Sequence, residues 1–534
     1  MRFLPVNTDA LLVELDGLEQ TLSLLDSLTA RPISGVVELV PAARTLLVSY
    51  RPSAVSAAEI VADIRARGRG ERLAATGRLV TVPVRYDGAD LVEVAGILGV
   101  TPDEVIAMHT ESEYTVAFTG FAPGFAYLTG GHPALDVPRR LTPRTRIPAG
   151  AVGLAGTFSG VYPQASPGGW QIIGVTDERM WDVAREVPAL LQPGFRVRFV
   201  EAAASVRSGV SAVAAESRPT VPERSAAPAP PAAPALRVQA TGIQTLYQDL
   251  GRRGRASQGV SAAGALDHSS LRVANRLVGN ASDTACLEVV DGGLSVVSVG
   301  DTLIAVTGAD APLTVTLPDG GSVVAAPYQP IVLGNGEALH LGTPTHGIRS
   351  YLAVRGGFAV PPVLGSLSTD TLSTVGPAPV APGDVLPVRA VLGAADAVAL
   401  EAGTAPNFPT ANEEVVLDVV WGPRTDWFTP EALRLLCSQA WTVTPQSNRV
   451  GLRLAGDAAL ARDIAGELPS EGTVVGSIQV PPNGQPVLFL ADHPLTGGYP
   501  VIGAVASHHL NLAGQIPLGA RIRFHPVTAF GELG

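Results

Sequence analysis

Residues 205 to 234 run from a Ser-Val-Arg-Ser-Gly-Val-Ser stretch into Ala-Ala-Pro-Ala-Pro-Pro-Ala-Ala-Pro, and such a run of small residues and prolines neither packs a core nor holds a helix. The chain on either side must therefore fold as separate bodies. At 534 residues it is also too long for one hydrophobic core. The tract is read as a semi-extended linker over 204–234.

Ahead of it, residues 10 to 16 predict a strand, 17 to 30 an amphipathic helix, 35 to 50 a hairpin and 54 to 68 a second helix, a small βαββα domain over 1–77. From Arg78 the pattern turns to short strands broken by glycine and proline, predicting a β-barrel over 78–203. One helix interrupts it. Thr101-Pro102-Asp103-Glu104 supplies an N-cap, a proline at the first helical position and a capping-box glutamate, so a helix runs to about Met108 and delivers His109 at its end. After the linker, turn signals recur roughly every 8–12 residues, as in Thr314 to Gly321, Leu333 to Leu341 and Leu352 to Val360. Helices are expected at Asp267 to Val278, with Asp267 as N-cap, and after Thr429-Pro430-Glu431. The fold class is mainly β with α/β parts, the second half dividing into 235–410 and 411–534. Leu191-Gln192-Pro193-Gly194-Phe195-Arg196-Val197-Arg198-Phe199 is echoed by Ile516-Pro517-Leu518-Gly519-Ala520-Arg521-Ile522-Arg523-Phe524, which predicts related barrels closing both halves.

The sequence contains no lysine, so all 37 basic residues are arginine. A P-loop lysine, a Schiff-base amine and a biotin attachment site are thereby excluded. Recognition of phosphate or carboxylate falls to arginine forks or backbone N–H groups. The net charge of -11 argues against nucleic acid or anionic membrane as partners. No apolar run approaches the ~20 residues of a membrane helix, and the polar Asn7-Thr8-Asp9 cuts short any signal-like stretch, so a cytoplasmic location is expected. Cys286 and Cys437 are too few for a disulfide framework and are expected to be small buried hydrophobes. Nine histidines without a His-x-x-x-His pair predict no metal ligand set, and the adjacent His508 and His509 are expected to point apart on the surface.

Candidate chemistry concentrates in a few segments. Phe118 to Leu128 holds three phenylalanines and a tyrosine on a turn-rich path, an aromatic wall beside exposed backbone N–H groups, with Phe121, Gly124 and Tyr127 as binding candidates. Arg139, Arg140, Arg144 and Arg146 lie between prolines that hold their forks ready for an oxyanion. Ser166, Gly168, Gly169 and Trp170 form another glycine-proline loop. In the second half Asp249, Asp267, Asp310, Glu471 and Asp492 sit among turn residues and are candidates to face a cleft. Arg424, Arg449 and Arg453 stand among apolar and glycine neighbours and call for fixed anionic partners. His109, Gln479 and Tyr499, with Asp492, are the candidates for proton transfer or carbonyl polarisation.

The Phe118 to Leu128 run, the arginine-proline segment, Pro148 to Val152 and Ser166-Pro167-Gly168-Gly169-Trp170 together resemble the B-type component of 5-oxoprolinase, also called allophanate hydrolase subunit 1, over residues 1 to 203. Residues 236 to 530 resemble the C-type component of 5-oxoprolinase, or allophanate hydrolase subunit 2. The carrying motifs are Gln248-Asp249-Leu250-Gly251-Arg252, Ala274 to Asn280, Gly422-Pro423-Arg424-Thr425-Asp426, Ser447-Asn448-Arg449 and the Ser470 to Tyr499 segment with Gly498. The family's usual serine-aspartate-arginine is here Ser447-Asn448-Arg449, so no carboxylate role carries over to position 448. The resemblance extends to the carboxyltransferase domain of urea carboxylase. It implies cyclophilin-like β-barrels in both halves and a composite cleft between them. It further implies ATP with Mg, no covalent cofactor, a small amide or lactam substrate, a separate third (A-type) 5-oxoprolinase subunit, and a homo-oligomer of the fused chain. Two other functions stay open: carboxyl transfer to urea or a related amide with a separate biotinylated partner, and a regulatory module that binds kinases.

Overall fold

A computed structural model describes residues 1–67, 77–140, 142, 144–202, 234–391, 405–464, 466, 468–529 and 531–533. The linker read over 204–234 lies outside the described residues except for Pro234.

The N-terminal unit is a four-stranded antiparallel sheet carrying the helices Leu18–Ala30 and Ala57–Arg67 on one face. It has one strand more than βαββα, because Arg2–Asn7 pairs with Ala10–Glu14. Pro5 hid that strand from the sequence pattern. It is tolerated because the strand lies at the edge of the sheet and the register breaks between Pro5 and Asn7. The strands are apolar on both faces. Phe3, Leu11, Val13, Leu46 and Val48 pack beneath the two helices, while Leu4, Val6, Ala10, Leu12, Val40 and Leu47 meet Ala256 and Leu495 of the second half.

Residues 79–201 form a seven-stranded sheet that curls until the bridge between Arg85 and Val175 joins its ends. The predicted helix spans Pro102–Thr110, with the full capping box at Thr101 and Glu104 and with His109 inside its last turn. The C-terminal barrel is closed, running from Glu414–Trp421 to Arg521–Pro526. The sequence echo has a topological basis. In the first barrel Arg196–Glu201 runs parallel to Leu79–Val84 and antiparallel to Glu113–Thr119, and in the last Arg521–Pro526 runs parallel to Glu414–Trp421 and antiparallel to Trp441–Val443. A glycine at positive φ, Gly194 or Gly519, precedes each of these seam strands.

Between the barrels, residues 235–388 build a six-stranded and a five-stranded sheet around a shared apolar core. Asp267 caps the helix His268–Leu277, and Thr429 caps Pro430–Ser438. The turn signal read over Leu352 to Val360 falls after the strand His346–Val354, where Gly356 and Gly357 both take positive φ. Cys286 is buried and Cys437 half-buried. No helix among the described residues is long and apolar enough to cross a membrane.

Candidate functional site

The two halves meet where the Phe118 to Leu128 loop of the first barrel touches Ala256, Gln258, Gly259, Ser470 and Thr496 of the second half. Thr119 Oγ1 donates to Ala256 O (3.1 Å), Phe121 N–H to Thr496 Oγ1 (3.1 Å) and Gly124 N–H to Gln258 O (3.1 Å). Gly120 and Gly259 permit this approach, since a Cβ at either would lie 2.7 Å from Thr496 Oγ1 or 2.5 Å from Ala122 O.

Two sequence expectations change here. The aromatic residues form interior packing rather than an open wall: Phe118 stacks on Tyr127 at 4.4 Å and Phe125 meets Trp170 edge-on at 5.3 Å, all four buried, leaving Phe121 half-exposed. Burial of so much ring area outweighs any open display. The backbone N–H groups are also taken, because Gly120, Phe121, Ala122, Gly124 and Phe125 all donate within the protein. Tyr127 keeps its hydroxyl at the junction, hydrogen-bonded with Ser470 and Thr496, and burial pushes its phenol up.

Arg139, Gln479, Gly498 and Tyr499 assemble beside this contact. Gln479 Nε2 donates to Tyr499 O (3.2 Å), and Arg139 Nη1 would lie 3.5 Å from a Cβ at Gly498. Tyr499 is 40% exposed, with the Arg462 guanidinium 6.0 Å from its ring centroid. Gln164 reaches across from the first barrel, donating from Nε2 to Leu372 O (3.2 Å).

The arginines divide by partner. Arg144 forks onto Asp90 (2.7 and 2.6 Å), which also receives Arg140 (2.8 Å) and the Ile172 N–H (2.7 Å). Burial alone would raise the Asp90 carboxyl, but these donors and charges hold it below the usual range. Arg424 is bound by Glu471 and Glu14, the latter at 2.8 Å, and so ties the N-terminal sheet to the C-terminal barrel. Arg449, 1% exposed, is held by Asp492, Glu288 and the Gly264 carbonyl. These three forks are occupied by the protein's own carboxylates. Arg139, half-buried at the junction, has no hydrogen bond or ion pair among the described residues.

Beneath the junction lies a buried polar cluster. Asp249 accepts from the hydroxyls of Ser366 and Ser368 (both 2.6 Å) and the N–H of Leu367, so it shapes the 366–370 segment rather than facing a cleft. Gln248 donates to Thr369 O (2.8 Å). Arg252 donates to Ser368 O, and its Nε and Nη1 are buried without a hydrogen-bond partner. Asp492 also accepts from the Thr371 N–H and hydroxyl (2.8 and 2.7 Å). The neighbouring Asp370, absent from the sequence candidates, is pushed up to about 6 by burial and then by the charge of Asp492. A carboxyl raised in this way can carry a proton closer to neutrality than an ordinary aspartate. The only sequence signal was the Ser366 to Thr374 run, rich in hydroxyls and poor in turn residues.

Other candidates fall elsewhere. Ser166 and Gly168 pair in a two-stranded ribbon with Ile147 and Arg144, and Gly169 O accepts from the Arg140 N–H (2.8 Å). Ser447 Oγ accepts from the Arg453 N–H (3.0 Å), with Arg453 exposed, while Asn448 closes a turn by accepting from Val450 N–H (2.9 Å). Asp267 caps a helix, Asp310 is exposed at a strand end, and Glu471 is committed to Arg424. His508 and His509 do not point apart, because a turn sets both rings against Asp418.

His109 lies inside the first barrel, away from the junction, bonded to Tyr86 Oη (2.7 Å) and Ser159 Oγ (2.8 Å). Burial pushes its imidazole down to about 3 from the ordinary 6.5, so it stays neutral. A depressed folded value means that acidification below about 6.5 protonates the unfolded chain first, and stability is lost progressively as pH falls toward about 3. His109→Gln is expected to flatten the decline in melting temperature between pH 6.5 and 5, roughly the window below the ordinary histidine value. An unchanged slope would refute this.

Comparison with known proteins matches residues 1–191 to the carboxyltransferase domain, subdomain C and D, and residues 258–526 to the carboxyltransferase domain, subdomain A and B. The second half is 37% identical over 292 residues to the C-type component of 5-oxoprolinase from Escherichia coli K12, covering 54% of this chain and 90% of that protein. The first half is 43% identical over 169 residues to the B-type component of 5-oxoprolinase from Escherichia coli O157:H7, covering 31% of this chain and 78% of that protein. Urea amidolyase of Saccharomyces cerevisiae is 34% identical over 315 residues, 55% of this chain and 17% of that protein. The crystal structure of TTHA0988 superposes with a TM-score of 0.78 at 35% identity, covering 97% of this chain and 99% of that one. With both matched regions in one polypeptide and packed on each other, the chain belongs to the carboxyltransferase domain family, as a fusion of its B-type and C-type parts.

Proposed function

We propose that this chain is the fused B- and C-type component of an ATP-dependent 5-oxoprolinase, acting with a separate third subunit to open the lactam of 5-oxoproline to L-glutamate. The reading rests on one observation: two parts that are separate subunits in the relatives meet here at a junction where Arg139 has no hydrogen bond or ion pair among the described residues. The planar fork of Arg139 suits the one carboxylate of 5-oxoproline. It does not suit a triphosphate, and the N–H groups of residues 120–125 are already bonded, so the proposal places the phosphates of ATP and their Mg on the third subunit. Asp370 and Asp492 are the groups proposed to hold and pass the proton.

The test is ATP- and oxoproline-dependent glutamate formation with and without the third subunit. The chain alone is expected to be nearly inactive, and robust turnover by it alone would overturn the reading. The urea amidolyase likeness supports a second reading, carboxyl transfer with a biotinylated partner. It would be favoured by bicarbonate-dependent turnover of urea when that partner is added. In the reconstituted enzyme Arg139→Lys keeps the charge and removes the fork, so oxoproline saturation is expected to weaken roughly ten- to a hundredfold while the melting temperature stays level. Normal saturation in this variant would remove Arg139 from the site.

A further inference from the structure

Three of the nine histidines converge on one carboxylate of the C-terminal barrel, far apart in sequence and close in space. Asp418 sits on the strand Glu414–Trp421. His525 is its register partner across the parallel seam, and Ala506 N–H donates to Asp418 O (2.8 Å), bringing the Ser507–His509 turn to the opposite side. His508 Nε2 lies 2.9 Å and His509 Nδ1 3.8 Å from Asp418 Oδ2, while His525 Nδ1 lies 2.9 Å from Oδ1.

We propose that Asp418, His508 and His509 form a binding site for one borderline divalent transition-metal cation, of the zinc, nickel or copper class, with His525 orienting the carboxylate from its other oxygen. Imidazole nitrogens with a carboxylate oxygen are the donor set such ions prefer. Metal–ligand bonds of ~2.0–2.1 Å put tetrahedral ligand atoms roughly 3.3 Å apart, and the Oδ2 separations of 2.9 and 3.8 Å bracket that edge. A cation there takes the place of the His508 hydrogen bond to the carboxylate. His509 Nδ1 accepts from the Asp418 N–H (2.9 Å), so it exchanges that bond on ligation, and His525 on Oδ1 holds the carboxylate in place from its other side. Asp418 has no arginine partner among the described residues, although every basic residue of the chain is arginine. The exposed faces of His508 and His525 leave an entry path. The site joins the strand Glu414–Trp421 to the turn that follows its neighbour Val501–Val505, beside the seam with Arg521–Pro526, so an occupied site clasps the closure of the barrel. It is independent of the junction and of the proposed reaction.

The experiment uses the full chain without an oligohistidine tag, stripped with EDTA and titrated with ZnCl2 by calorimetry and with CoCl2 by visible absorption. One cation per chain, tetrahedral cobalt bands and a higher melting temperature with zinc are expected. Asp418→Asn and His508→Gln should each weaken zinc binding by roughly a hundredfold or more, and His509→Gln and His525→Gln by at least about tenfold. His340→Gln, at an exposed histidine on another sheet, serves as the control and should bind as the parent does. Absence of saturable binding, or affinity for zinc unchanged in Asp418→Asn and His508→Gln, overturns the site. Circular dichroism of the stripped variants separates lost ligation from lost fold.

Discussion

Arg449→Met is expected to be the most damaging single substitution in the chain. The Arg449 guanidinium is fully enclosed, with Nε and Nη2 on Asp492 (3.0 and 2.9 Å), Nη2 also on Gly264 O (2.6 Å) and Nη1 on Glu288. Glu288 in turn accepts from Tyr351 Oη (2.7 Å) and Leu266 N–H (3.0 Å). Burial alone would raise the Glu288 carboxyl, and the charges of Arg449 and Arg349 hold it low instead. Methionine fills the space but leaves two buried carboxylates without their shared cation. Breaking such a pair costs about 3–5 kcal/mol, which corresponds to a fall of roughly 10 °C or more in the transition of a domain this size. Thermal unfolding of the second half, followed together with limited proteolysis, checks it. A melting temperature within ~2 °C of the parent would mean that the network relaxes or takes up water.

Cutting the chain within the alanine-proline tract is expected to leave one particle of unchanged mass on size exclusion. The halves are held by an apolar face, by ion pairs and by backbone hydrogen bonds that do not pass through the linker. Leu4, Leu12, Val40 and Leu47 pack on Ala256 and Leu495, Glu14 shares Arg424 with Glu471, and Asn7 Nδ2 donates to Val505 O (3.0 Å). Leu47 is the most sensitive point, 1% exposed, with its Cβ 2.6 Å from the place a Cβ on Gly472 would occupy. In the cut protein Leu47→Asp places an unpaired carboxylate in that contact and should release the halves, whereas the uncut variant stays one chain with a lowered melting temperature. Separation of the cut parent protein into two species would show that this face is too weak to hold them.

The secondary structure was legible where local chemistry decides it. The capping box at Thr101 and the caps at Asp267 and Thr429 follow from short-range patterns in which a residue and its partner lie within one turn, and the strands ending each half were legible from their own alternation though their pairing was not. The first strand was lost to Pro5, whose tolerance depends on an edge position that no local pattern reveals. Which arginine lacks an ion pair among the described residues was equally hidden. Arg139 and Arg144 are alike in sequence, and only the fold sets Asp90 against one of them and not the other.

The sequence by itself determined the two-body organisation, the β-rich class, the exclusion of lysine chemistry and the family, since each rests on composition, local pattern or residue order. The tertiary structure alone decided which charges meet. Asp370 stands beside Asp492 across 122 positions and Asp418 beside His525 across 107, because strand register and the packing of one half on the other place side chains whose separation along the chain carries no information about their separation in space.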